Sequence, residues 1–179
     1  MAKYFQQFPK IQYDMKSDGN VKLATDIFRR VKVRSKVKDN LALLDKYDVE
    51  SGEKPEDVAF KVYGSTDYWY VVCLMNNIVD RNHDWPKSFQ AFETYVNDKY
   101  AEPGGIHHYE KAQSSGSTTQ QGPGNFDHVV EVNSTDPDGQ SVSNYEYEQR
   151  LQDQKRQIKL LDKAYLNTFV EEFERLVKR

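Results

Sequence analysis

Cysteine is almost absent: Cys73 stands alone in 179 residues, so no disulfide can form within the chain. It falls on the apolar side of a predicted helix beside Val72, where a free thiol acts as a small hydrophobe, and no thiolate-stabilising partner is in view. Long apolar runs are missing too. No stretch approaches the roughly 20 residues that span a bilayer, and the opening Met-Ala-Lys-Tyr-Phe lacks the apolar core of a signal peptide. The expectation is a soluble protein made in a reducing cytoplasm, without membrane contact. Neither sign of charge dominates, with 25 basic against 28 acidic residues, which removes any global argument for nucleic acid. Catalytic patterns are also lacking. His83, His107, His108 and His128 show no HExxH or cysteine-linked spacing, and there is no GxSxG, phosphate-cradling glycine loop or dinucleotide fingerprint. His108 and Glu110 fall on one strand face, yet two donors do not make a metal site. Glu171-Glu172 and Asp136/Asp138 read as solvated carboxylates on a helix surface and in a turn. No catalytic residue, cofactor or metal is expected.

What the chain does have is aromatic residues in a polar background. The hydrophobic fraction is 37% and charged residues make up 30%, with a mean hydropathy of -0.86, so several slim elements are expected in place of one large core. Aromatics reach 13%, including twelve tyrosines and nine phenylalanines, which argues against wholesale disorder. Part of what they pack against is expected to be another chain, because aromatics are enriched at interfaces.

The densest signal runs from Tyr47 to Asp80. Tyr47 and Val49 share one face of a short strand, and Ser51-Gly52 turns the chain. Pro55 suits the first turn of a helix, where its missing N–H has no intrahelical partner to lose. Val58, Ala59, Val62 and Tyr63 form one apolar stripe. Gly64 closes that helix in the left-handed conformation, and Ser65 or Asp67 caps the next, which carries Tyr68, Trp69, Val72, Cys73 and Met75 to Asn76-Asn77. Tyr63, Trp69 and Val72 are the predicted core.

Strand, turn, helix, glycine, helix and Asn-Asn-Ile in this order resemble a LysM-type βααβ module. Gly52, Ala59, Tyr63-Gly64, Leu74 and Asn76-Asn77-Ile78 stand where that family carries its turn, helix core and closing loop. Together with Thr25-Asp26-Ile27-Phe28-Arg29, Tyr68-Trp69, Trp85 and Arg156-Gln157-Ile158-Lys159, the chain resembles the LysM-domain baseplate wedge subunits of contractile-tailed, T-even-like bacteriophages, of the gene product 53 type. The resemblance implies a virion structural protein, assembled in the host cytoplasm, that meets other wedge subunits and neighbouring wedges in sixfold symmetry and supports tube and sheath assembly. LysM modules commonly bind N-acetylglucosamine-containing glycans through the loops that here read Glu50-Ser51-Gly52-Glu53-Lys54 and Asn77-Ile78-Val79-Asp80. The usual Gly-Asp-Thr-Leu is replaced by Glu53, Lys54 and Pro55 after the glycine, so a peptidoglycan-binding role is the alternative and glycan binding is not expected.

The predicted fold class is α+β: a small LysM-like βααβ module, an extended N-terminal arm, a β-hairpin insertion and a long C-terminal helix. An arm with a basic strand spans residues 1–40. Its tail from Arg30 to Lys38 alternates basic residues with Val31, Val33 and Val37, a strand whose charged face suits a protein contact better than nucleic acid. The module with a packing helix, capped by Ser88 and carrying Phe89, Phe92, Tyr95 and Val96, spans 41–102. A flexible loop from Gln113 to Gly124 and a hairpin pairing Phe126–Val132 with His107–Glu110 fill 103–144, with a turn at Asp136-Pro137-Asp138-Gly139. A single amphipathic helix is expected over 145–179. Expected interface residues are Phe28, Arg30, Arg34, Trp85, Ile158, Leu161, Tyr165, Phe169 and Phe173.

Overall fold

The computed structural model describes residues 4–38, 40–112 and 129–178. Their helices and short antiparallel strands make an α+β fold. In chain order they are β1 (Lys10–Tyr13), β2 (Lys22–Thr25), α1 (Ser35–Lys38), β3 (Leu44–Asp48), α2 (Pro55–Tyr63), α3 (Trp69–Met75), α4 (Arg81–Asp84), α5 (Phe89–Lys99), β4 (Ile106–Ala112), β5 (Val129–Val132), β6 (Gln140–Ser143), α6 (Asn144–Arg156), β7 (Gln157–Leu161) and α7 (Leu166–Lys178). The described residues fall into two compact units, one drawn from 1–86 and 155–179, the other from 87–154. These divisions differ from those expected: the second unit includes α5 and most of α6.

In the first unit, local chemistry sets the helix boundaries as the sequence suggests. Gly52 takes φ 84° and turns the chain out of β3. Pro55 opens α2, the Asp57 carboxylate accepts the Lys54 N–H at 3.0 Å, and Gly64 closes the helix at φ 81°. The Ser65 side chain caps the following 3-10 turn, Thr66–Tyr68, by accepting the Asp67 N–H at 3.2 Å. That turn rotates the helix behind it. Tyr70, Val71, Val72 and Met75 are buried, as is Tyr63 at the end of α2, whereas Trp69 is only half-buried.

The largest departure lies near the C-terminus. Instead of one helix over 145–179, α6 and α7 are separated by β7, which pairs antiparallel with β3, Tyr47 opposite Ile158 and Leu44 opposite Leu161. Along Gln157–Leu161, Ile158 and Leu160 point into the core and Lys159 points out, the period of a strand. The outer edge of β7 is held by the Asn76 side chain, whose Nδ2 donates to the Lys159 carbonyl at 2.8 Å while its Oδ1 accepts the Lys159 N–H at 2.8 Å. Tyr63 Oη donates to the Leu161 carbonyl at 3.0 Å, joining α2 to the same strand. A β-α-α core is thus completed by a strand that arrives after the whole second unit. Helix α7 adds Leu166, Phe173 and Val177 to this core.

The N-terminal arm is a β1–β2 hairpin with Lys10 opposite Thr25. Ahead of it, Tyr4 packs its ring against Trp69 and Phe173 at 5.4 and 5.7 Å, and Phe8 is buried in the core. The basic segment is not a strand. Residues 29–34 pair with no neighbour in a sheet, and Ser35–Lys38 is one helical turn, although Val33 is buried and Arg30, Lys32 and Arg34 are exposed as alternation requires.

In the second unit, β4 lies between β5 and β6. The turn at Asp136–Gly139 forms as expected, with Gly139 N–H donating to the Asp136 carbonyl at 3.1 Å. Helix α5, capped by Ser88, packs within this unit: Phe92 meets Tyr145 at 5.4 Å. The buried face of α6 is polar. Glu148 accepts from Lys99 Nζ at 2.6 Å and Tyr100 Oη at 2.9 Å, and Gln152 accepts the Lys87 N–H at 2.9 Å. Residues 145–157 accordingly carry Leu151 as their only aliphatic residue. The expected loop from Gln113 to Gly124, His128, and the start of the expected Phe126–Val132 strand lie outside the described residues.

Candidate protein-interaction surface

Residues 26–38 and the C-terminal end of α3 build the most distinctive surface of the first unit. Asp26 fixes the turn that follows it. Its N–H donates to the Pro9 carbonyl at 2.8 Å, and its carboxylate accepts the Phe28 N–H at 3.2 Å and Arg29 Nε at 2.9 Å. Arg29 also donates to the Val177 carbonyl at 3.1 Å, satisfying an orphan carbonyl at the end of α7. Lys38 ties down the end of α3, donating to the Leu74 carbonyl at 2.8 Å, which also accepts the Asn77 N–H, and to Asn77 Oδ1 at 2.6 Å. Burial, with Lys32 and Lys159 nearby, holds its ammonium pKa below the ordinary lysine value.

Between these two anchors runs a groove. Trp69, Leu74 and Ile78 lie half-buried along it, with Phe28 and Val79 at its margins and Arg30 and Lys32 beside them. Phe28 is 88% exposed. Cys73 also lines the groove, and burial pushes its thiol up to about 12, so it is an inert thiol at neutral pH.

The loop from Glu50 to Lys54 has a different construction. The buried Glu53 carboxylate accepts from Tyr47 Oη at 2.8 Å and the Glu50 N–H at 3.1 Å, and pairs with Lys61 at 2.8 Å. Burial alone would raise its pKa; Lys61, Tyr47 and the Glu50 N–H outweigh burial and hold it below the ordinary glutamate value. Trp85 Nε1 donates to the Glu53 carbonyl at 2.7 Å, beneath the same loop. All these groups are already satisfied within the chain.

The residues expected at an interface therefore separate. Phe28, Arg30 and Arg34 are exposed, Tyr165 is 45% exposed and Phe169 is half-buried. Trp85, Ile158, Leu161 and Phe173 are instead in the first unit's own core, because β7 and α7 close over α2 and α3. Ile27 and Val79, 63% and 69% exposed, belong with Phe28 on the groove and were not anticipated. Their signal was position: Ile27 adjoins Phe28, and Val79 follows the Asn-Asn-Ile that ends α3. Among the described residues no group of three or more His, Cys, Asp or Glu side chains is placed to hold a metal ion. Nor is any helix among them long and apolar enough to cross a membrane.

The model of a family described as base plate wedge protein 53 matches residues 3–118. The chain belongs to that family. It is thereby a structural protein of the phage tail baseplate, whose working contacts are with other baseplate proteins. A search among curated proteins returned no match. The matched span takes in the Asp26 turn, the basic segment, α2, α3 and Trp85, whereas β7 and α7, which complete the first unit, lie beyond it.

Proposed function

We propose that this base plate wedge protein joins neighbouring wedges of a sixfold baseplate in a contractile-tailed, T-even-like phage, and that it supports tube and sheath assembly in the host cytoplasm. Its mechanism is mechanical: interfaces hold the wedges together and no bond chemistry is assigned. The observation that carries this proposal is the pinned, exposed Phe28 beside a groove bordered by Arg30 and Lys32, on a chain from a wedge family. Phenylalanine and arginine are both enriched at protein interfaces relative to the rest of a protein surface.

The first unit is read as a LysM-like module, with β3, α2, α3 and β7 in the roles of its βααβ elements. The spent hydrogen bonds of Glu53 argue against the glycan-binding alternative, since that loop has a buried, paired carboxylate where a sugar cradle needs free polar groups. Reconstitution tests the proposal. Wedges assembled from the other baseplate proteins of the same phage, with and without this chain, are examined by electron microscopy. Closed rings are expected only with it, and rings that close equally well without it would remove the joining role.

A further inference from the structure

We infer that the groove between the Asp26–Arg29 turn and α3 is a docking site for an acidic segment of another baseplate protein, one carrying carboxylates on either side of a bulky apolar residue. This rests on the baseplate reading and adds the partner's chemistry to it. The turn is held at four points, by Asp26 N–H to Pro9, Asp26 to Phe28 N–H and to Arg29 Nε, and Arg29 to Val177. Its apolar side chains nonetheless face water, Phe28 at 88% and Ile27 at 63% exposure, with Val79 at 69% on the same groove. A rigid backbone that holds a phenylalanine in solvent loses little conformational entropy when a partner covers the ring, which is how preorganised anchors gain affinity.

Charge selects the occupant. Arg30 and Lys32 line the groove, both exposed, and among the described residues neither has a carboxylate partner; no Asp or Glu shares the lining. The following Arg34 and Lys36 continue the positive run, again without an ion pair among the described residues. A segment whose carboxylates meet these cations while its apolar side chain enters beside Phe28 satisfies both features. Nucleic acid meets these features less well: a base can stack on Phe28, but Ile27, Leu74 and Val79 beside it are aliphatic and call for an apolar side chain.

The test uses the full chain with a photoreactive benzoylphenylalanine in place of Phe28, co-expressed with the remaining wedge proteins of the same phage. Purified wedges are irradiated and the crosslinked peptides read by mass spectrometry. The expected crosslink joins another wedge protein at a peptide with Asp or Glu flanking a large apolar residue. The double variant Arg30→Glu/Lys32→Glu and the single variant Phe28→Ala should each lower incorporation into wedges by about tenfold or more, as loss of an interface anchor does. Both stay folded by circular dichroism, since the substituted side chains are exposed, and Phe60→Ala, an exposed aromatic on α2, should leave incorporation unchanged. Crosslinks to a basic or neutral peptide or to a second copy of the chain would overturn the inference, as would equal loss from Phe60→Ala. So would retention of a DNA duplex that the charge reversal abolishes while wedge incorporation is untouched. Wild-type chain present in wedges without any Phe28 crosslink sinks this inference and spares the baseplate reading; wild-type chain absent from purified wedges sinks both.

Discussion

Through its carboxylate, Glu53 ties down the loop after β3. With its carboxylate buried and bonded to Tyr47, the Glu50 N–H and Lys61, its pKa is depressed, so its contribution is present above the unfolded glutamate value and is lost as pH falls through the lower folded value. Stability should accordingly decline as the solution is acidified below about pH 4.5. Glu53→Gln should cost about 1–3 kcal/mol at neutral pH and flatten that acid limb, read by urea melts across pH. An unchanged acid limb would show that Glu53 does not carry it. At the alkaline end the sign reverses. Burial pushes Tyr63 up to about 12 while its hydroxyl donates to Leu161, so its share of stability is full below the unfolded value near 10 and is lost as pH rises from there through about 12. Tyr63→Phe should remove that dependence. Aromatic truncations should rank by burial: Trp85→Ala, at 5% exposure with its indole N–H bonded, is expected to cost about 3–5 kcal/mol, and half-buried Trp69→Ala clearly less. Equal melting shifts for the two would contradict the placement of α3.

Elements with local boundary signals were legible in the sequence. Gly52, Pro55, Gly64, Ser65 and Ser88 each do in the structure what their chemistry suggests, because a turn or cap is decided by a few neighbouring residues. The proposed interaction surface was legible in part: exposed Phe28, Arg30 and Arg34 stand out in the sequence, but the groove that Phe28 and Arg30 line depends on α3 and the Asn77–Val79 loop lying beside them, which no local pattern announces. β7 was hidden for a related reason. Leu151, Ile158 and Tyr165 recur every seven residues and mimic one helix, while the Ile158-Lys159-Leu160 alternation that marks a strand is too short to stand out until β3 supplies its partner. Helix phase was misread at Trp69 because the Thr66–Tyr68 turn is 3-10, with fewer residues per turn than an α-helix. The consequence for β7 and α7 is testable. They are not a detachable tether: deleting residues 155–179 removes Ile158, Leu160, Leu161, Leu166, Phe173 and Val177 from the core. The truncated protein should lose its cooperative melt by circular dichroism. A truncated chain that melts as sharply as the full one would mean the β3–β7 pairing is dispensable.

At the scale of the molecule, a discontinuous unit encloses a continuous one in sequence. The first unit's closing strand lies some 80 residues beyond the Asn76 that grips it, since Asn76 bonds to Lys159 across a separation of 83 positions. The intervening residues 87–154 carry their own interior of Phe92, Val96 and Val142 and their own ion pairs, Lys99 with Glu148 and Arg150 with Glu110. Loop closure entropy grows only slowly with length, so an insertion of this kind costs the enclosing unit little provided its two ends are held. Here both ends have local ties within the first unit: Trp85 is bonded to Glu53, and Lys155 Nζ donates to the His83 carbonyl at 2.7 Å. Replacing residues 87–154 with a glycine-serine linker of about ten residues, flexible enough to span the ends at its root-mean-square length, should leave the first unit folded. Its melt should stay cooperative, and hydrogen exchange should still protect the β3 and β7 amides that face each other in the ladder. Loss of that protection, with the linker lengthened to about 20 residues to exclude strain, would show that the second unit is needed to deliver β7 and that the two units fold as one.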